Sequence, residues 1–124
     1  MRKVAIPVSE KNGMKSKTHA HFGSAPVYAI VETEGGEIEW YDNEEAEHTH
    51  GSCQPAGKLA QFHIDAVVCQ GMGARAIDKL NGLGMKVYVN RRAATVEEVI
   101  EEIKQNRLTE LSKEGACQQH HGAH

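Results

Sequence analysis

Apolar residues along this chain come in short blocks separated by polar turns, and their spacing changes character about a third of the way through. Val4-Ala5-Ile6-Pro7-Val8 is a continuous apolar block that runs into Ser9-Glu10-Lys11-Asn12-Gly13, the pattern of a buried strand followed by a turn. Pro7 cannot donate to a ladder, which predicts an edge position, a bulge or a strand end there. Val27 to Val31 is a second strand. Glu34-Gly35-Gly36-Glu37 supplies a hairpin turn, and Ile38 and Trp40 alternate with polar residues on the return strand. The first third therefore predicts a three-stranded antiparallel meander.

Beyond Asp42 the pattern turns polar and acidic as far as Ser52, a long surface loop. Ser52 or Cys53 can cap a helix with Pro55 near its start, and Ala56, Leu59, Ala60 and His63 share one helical stripe, with Phe62 beside it. Ile64 to Cys69 is a buried strand. Gln70-Gly71-Met72-Gly73 opens a helix carrying Ala74, Ile77 and Leu80, and Gly82 closes it. Met85 to Val89 is a fifth strand. Thr95-Val96-Glu97-Glu98 is a capping box, and Val96, Val99, Ile100 and Ile103 keep helical spacing to Asn106. Leu108 to Leu111 reads as one further turn. From Lys113 no periodicity remains.

This order, β-β-β-α-β-α-β-α, predicts an α/β fold: a mixed five-stranded sheet with helices on its faces. Residues 1–112 form the domain and 113–124 a flexible Cys/His-rich tail. The length, 124 residues, suits one domain. Hydrophobic residues at 40% and charged residues at 25% are ordinary for a globular chain. Fourteen basic against seventeen acidic side chains give a net charge of −3, which argues against nucleic acid or an anionic membrane surface as partner. No apolar run approaches the roughly 18 residues of a membrane span. Met1-Arg2-Lys3 leads directly into the first strand, so the expected location is cytoplasmic.

Histidine and cysteine usage departs from this ordinary background. Three cysteines, at 53, 69 and 117, form no CxxC pair, and neither a disulfide framework nor a zinc ribbon fits them. Seven of the eight histidines are clustered: His19 with His21, His48 with His50, and His120, His121 and His124 together. His48-Thr49-His50-Gly51-Ser52-Cys53 sets two imidazoles and a thiol within six residues, a donor set for iron, zinc, copper or a metal–sulfur cluster rather than magnesium or calcium. At a helix N-terminus the Cys53 thiolate would be favoured. The alternative is a solvated acidic loop with incidental histidines.

His19 and His21, two apart, fall on the same side of an extended backbone. Gly71-Met72-Gly73 lies between strand and helix, where backbone N–H groups can receive an anion, and Arg75 adds positive charge. A tight βα turn would also use glycine, so a structural role stands equally. Cys69 lies inside a strand as a buried thiol, and His63 reads as a packing or surface residue. The tail, with Cys117, His120, His121 and His124, has a transition-metal-binding composition.

Several blocks, in order, resemble the dinitrogenase iron–molybdenum cofactor biosynthesis family. His21-Phe22-Gly23-Ser24-Ala25-Pro26 is similar to that family's HFG-x-AP segment. Gly35-Gly36-Glu37-Ile38 followed by Asn43, Asp65-Ala66-Val67-Val68 followed by Gly71-Met72-Gly73, and Gly84-Met85-Lys86-Val87-Tyr88 match its later blocks. The resemblance spans roughly Met1 to Leu111, and a Cys/His-rich tail follows in many small members. It implies a ribonuclease H-like three-layer fold with strand order 3-2-1-4-5, and a carrier or accessory protein for an iron–molybdenum or other metal–sulfur cluster, working with metallocofactor assembly proteins. It also raises His21 above His19 as a site residue.

Two other classes compete. A metal buffer or iron–sulfide store would act through the tail. An enzyme is disfavoured: residues 3–8 carry no carboxylate for two-metal nuclease chemistry, and nothing around Cys53 supplies an oxyanion site.

Overall fold

The computed structural model describes residues 2–22, 25–43, 59–70, 72–90 and 93–111. Period-2 alternation is the organising feature of its strands. In β1 (Lys3–Val8), Ala5 faces one core while Val4, Ile6 and Val8 face the other. β2 (Val27–Glu32) sends Tyr28 and Ile30 to the first core, and Val27, Ala29 and Val31 to the second. β4 (Ala66–Cys69) repeats this with Val67 and Cys69 against Ala66 and Val68. Both faces of these strands are buried, so their sequence reads as continuous apolar blocks rather than a visible alternation.

β3 (Ile38–Asp42) and β5 (Lys86–Val89) flank them, and a sixth strand, β6 (Thr109–Leu111), completes the sheet. The order is β3-β2-β1-β4-β5-β6. β1–β4 and β4–β5 are parallel, whereas β1–β2, β2–β3 and β5–β6 are antiparallel. The meander and the mixed sheet agree with the sequence reading. The five-strand count does not: Leu108–Leu111 was expected as a helical turn, and Thr109–Leu111 instead pairs with β5, Leu111 opposite Val87. Leu111 is buried in the first core while Thr109 and Glu110 are exposed, so one inward residue anchors the strand.

Two α-helices lie among the described residues, one on each face. α1 (Ala74–Gly82) buries Ile77 and Leu80 in the first core. α2 (Val96–Lys104) buries Val96, Val99 and Ile100 in the second. The predicted box at α2 forms with one change. The Glu98 amide donates to Thr95 Oγ1 at 3.3 Å, and the Glu98 carboxylate accepts from the Ala94 amide at 2.8 Å rather than from the cap residue itself.

α1 ends at Gly82, the glycine expected to close it, but the left-handed residue of the closure lies two positions further on. Gly82 is helical, and Gly84, at φ +87°, turns the chain out. The Gly84 amide donates to Asn81 O at 3.0 Å and the Met85 amide to Leu80 O at 2.9 Å, the paired bonds of a Schellman motif with Met85 and Leu80 buried beside each other's element. Of the helix expected from Ser52 or Cys53 to His63, only the end lies among the described residues, as a 3-10 turn at Ala60–Phe62 closed by His63 at φ +58°.

At the amino ends of β1 and β4, the Asp65 carboxylate accepts the Arg2 and Lys3 amides at 2.8 and 3.1 Å. The bond from Arg2, with the Lys3 bond and nearby positive charge, holds its carboxyl below the ordinary 3.8.

Candidate functional site

β1, β4 and β5 run parallel, so their carboxyl ends open on one rim of the sheet, the usual position for ligands in such folds. Pro7 explains how that rim is built. β4 pairs with β1 only through Val4–Ala66 and Ala5–Val67, and Pro7 lies beyond that stretch, where a missing N–H leaves no ladder bond broken. After a 3-10 turn at Gly13–Lys15 the chain returns along this end of β1. Thr18 bridges Val8, the His19 amide donates to Pro7 O at 2.8 Å, and the Ser9 amide donates to Lys17 O at 2.9 Å. Pro7 thus sits in a central strand, at the end of its pairing with β4.

The same returning segment reaches the other two strand ends. The Thr18 amide donates to Ala94 O at 2.9 Å and the Val96 amide to Ser16 O at 3.0 Å. Gln70, just past β4, donates from Nε2 to Thr18 Oγ1 at 3.2 Å. Asn90, just past β5, donates its amide to Cys69 O at 2.7 Å, and its buried side chain bonds both Ala93 N and Ala93 O.

His19 and His21 leave this segment side by side. His19 Nδ1 lies 3.2 Å from the His21 amide nitrogen and 3.1 Å from the His21 carbonyl oxygen, and the ring centroids are 6.1 Å apart. His19 is half-buried and His21 exposed. The following turn is fastened from beneath: the Tyr28 hydroxyl donates to Phe22 O, Asn43 Nδ2 donates to Ala25 O at 2.9 Å, and the Asn43 amide donates to Pro26 O at 2.9 Å. Tyr28 is fully buried between Phe22 and Tyr41, with ring centroids at 5.4 and 5.8 Å. Burial, reinforced by Tyr41, pushes its phenol well above the usual range, so this donor keeps its proton across physiological pH.

The βα turn meets the same place from β4. Met72 packs against the core cluster that holds Phe22 and Leu59. Gly73 caps α1 at φ −72° and ψ 158°, a conformation any residue adopts, and a Cβ added there would meet nothing within 4 Å. The fold itself therefore makes no demand for glycine at 73. Gly73 has no side chain with which to cap this helix start, and Arg75 is exposed in its first turn. The Gln70–Thr18 bond ties this turn to the His19–His21 segment.

His48, His50, Cys53, Gly71, Cys117, His120, His121 and His124 lie outside the described residues. Among the described residues no group of three or more His, Cys, Asp and Glu side chains converges. Cys69 is buried in β4 as expected, and His63 is exposed. Two clefts, of about 400 Å³ along the acidic face of α2 and about 180 Å³ beside Lys3 and Glu37, contain none of the predicted site residues. Sequence reasoning missed Pro7, Thr18, Gln70, Asn90 and Tyr28 as builders of the rim. Asn43 was visible only as part of the family pattern.

The family model for "Dinitrogenase iron-molybdenum cofactor" matches residues 2–106. The chain belongs to this family. Family membership fits a second comparison, with an uncharacterized protein of Methanocaldococcus jannaschii, 27% identical over 112 residues that cover 87% of this chain and 90% of that one. Among solved structures, the apo form of the orange protein from Desulfovibrio gigas superposes with a TM-score of 0.81 at 20% identity, covering 90% of this chain and 93% of that one. A putative NifB protein from Thermotoga gives 0.76 at 28% identity, covering 90% and 95%. The family and its neighbours mark this as a small metallocluster-related protein, and the solved structures share its α/β fold. No helix among the described residues is long and apolar enough to cross a membrane.

Proposed function

We propose that this protein is a small carrier for an iron–molybdenum-type or other metal–sulfur cluster, accessory to metallocofactor assembly, and not an enzyme. The observation that carries the reading is the joining of the His21 turn to the βα turn at one rim, through Gln70 and Thr18, in a chain of the iron–molybdenum cofactor family. Imidazole nitrogen suits a borderline metal, and backbone N–H groups at a helix start suit an anionic cluster. His21, Gly71, Met72, Gly73 and Arg75 are the cofactor-binding residues of this proposal, with His48, His50 and Cys53 as metal ligands from the sequence that follows Asn43. Assembly proteins that deliver and accept the cluster are the partners, and the ribonuclease H-like relationship and a cytoplasmic setting belong to the same reading.

The test is isolation of the untagged protein under strict anaerobiosis, followed by iron, molybdenum, copper, zinc and acid-labile sulfide determination per chain. Metal with sulfide in a fixed small ratio, lowered in His21→Ala and Cys53→Ala, is the expected result. Protein that takes up no sulfide even after anaerobic reconstitution with iron and sulfide would overturn it. The composition of the tail, with Cys117, His120, His121 and His124, favours a second reading, a metal buffer or iron–sulfide store. Trimming after Lys113 separates the two: a carrier keeps most of its cluster affinity, and a tail-driven store loses it.

A further inference from the structure

His21 carries the family pattern, yet His19 is the better-anchored imidazole. Its amide is bonded to Pro7 O at 2.8 Å, its neighbour Thr18 is held by Ala94 and Gln70, and its ring nitrogen Nδ1 rests on the main chain of His21. Two tautomers satisfy that contact. In one, Nδ1 accepts from the His21 amide and Nε2 carries the proton. In the other, Nδ1–H donates to the His21 carbonyl at 3.1 Å and Nε2 presents a bare lone pair. The second is the arrangement found around metal-ligating histidines, whose other ring N–H is given to a carbonyl that sets tautomer and ring orientation.

We propose that His19 is a metal ligand through Nε2, and that with His21 it forms a two-imidazole attachment point for a borderline transition-metal ion. On one tetrahedral ion, with metal–nitrogen bonds of about 2.0–2.1 Å, two imidazole centroids stand roughly 5 Å apart. The observed 6.1 Å needs only a modest swing of the exposed His21 ring toward the anchored His19. Metal binding selects the Nδ1–H tautomer of His19, so the His21 carbonyl fixes the orientation of the ligand. As the attachment point of a cluster this rests on the carrier reading; as a site for a simple ion it rests on the geometry alone.

The experiment is a titration of the full-length, ¹⁵N-labelled protein with Zn²⁺ to saturation, following the imidazole nitrogens by long-range ¹H–¹⁵N correlation. His19 Nε2 is expected to move to a metal-bound shift while its Nδ1 remains protonated, with His21 responding in the same titration step. His19→Ala should weaken the response at His21 by about 10- to 100-fold in affinity, with backbone amide spectra confirming that β1 and α2 keep their shifts. An unchanged His19 Nε2 at saturating Zn²⁺ overturns the inference, as does a His19 locked as the Nε2–H tautomer throughout. The carrier reading stands or falls separately: Zn²⁺ at His19 without sulfide uptake sinks the carrier, and sulfide uptake with a silent His19 sinks this site.

Discussion

Tyr28 shows how one hydroxyl at the centre of a core can govern a surface turn. Its O–H satisfies the carbonyl of Phe22 and receives a 3.4 Å bond from Asn43. Tyr28→Phe keeps the ring stack and removes the donor, leaving Phe22 O without its phenol partner in a low-dielectric site. The expected loss is about 1–3 kcal/mol, read from the urea midpoint, with the amide shifts of His21 and Phe22 moving most. Asp65 gives a pH-dependent counterpart. Its carboxyl is held below 3.8 in the folded protein, so its contribution is complete above the unfolded carboxyl's ordinary range and disappears as pH falls through the native value. Asp65→Ala should therefore lower the urea midpoint at pH 7, and the difference from the parent should shrink steadily below about pH 4. An unchanged gap at pH 2.5 would mean that the Arg2 and Lys3 bonds do not depend on the charge.

The elements give a sign test between two neighbouring glycines. Gly82 lies in the helix with open space before its missing Cβ, and Gly84 has the same open space but a left-handed backbone. Gly82→Ala should stabilise by up to about 1 kcal/mol, whereas Gly84→Ala should cost about 1–2 kcal/mol; thermal unfolding of the two variants reads both. Equal effects would refute the Schellman closure. The same turn shows what was legible in the residues and what was not. Apolar blocks announced β1, β2 and β4 because both their faces are buried, Val87 and Val89 marked the buried face of β5, and the Thr95 box announced α2. β6 stayed hidden because three residues with one inward side chain define no period. Asn106, at φ +58°, lies between the end of α2 and β6, which then runs antiparallel to β5. Gly82 was read as the closing residue, and the part played by Gly84 stayed hidden because spacing alone does not reveal φ. At the rim, the family block around His21 singled that residue out as a candidate, but the anchoring of His19 depends on Pro7, Gln70 and Ala94, which no local pattern connects.

At the scale of the whole molecule, β1 and β4 occupy the middle of a sheet covered on both faces, and β3 and β6 are its edges. Protection against amide exchange should follow that order. Val67 and Val68 should exchange only on global unfolding, and the amides of Thr109 to Leu111 much sooner, as native-state hydrogen exchange would show. Equal protection of β6 and β4 would contradict it. Edge placement also means that substitutions at Leu111 should be felt less than at Ile6, where truncation to Ala is expected to cost about 2–5 kcal/mol, a large share of a domain's total of about 5–15 kcal/mol. Urea midpoints of the two alanine variants measure that contrast.

The bond from Thr18 to Ala93 spans 75 residues of sequence. During synthesis at about 5–20 residues per second, His19 and His21 emerge roughly 4–15 s before the residues that support their segment. For that interval the nascent chain displays two unanchored imidazoles, with ring and tautomer undirected. If the rim binds metal as proposed, its selectivity is acquired late, once β5 has joined the sheet and α2 has begun, and a ribosome stalled before Ala94 would hold the histidines without their supports.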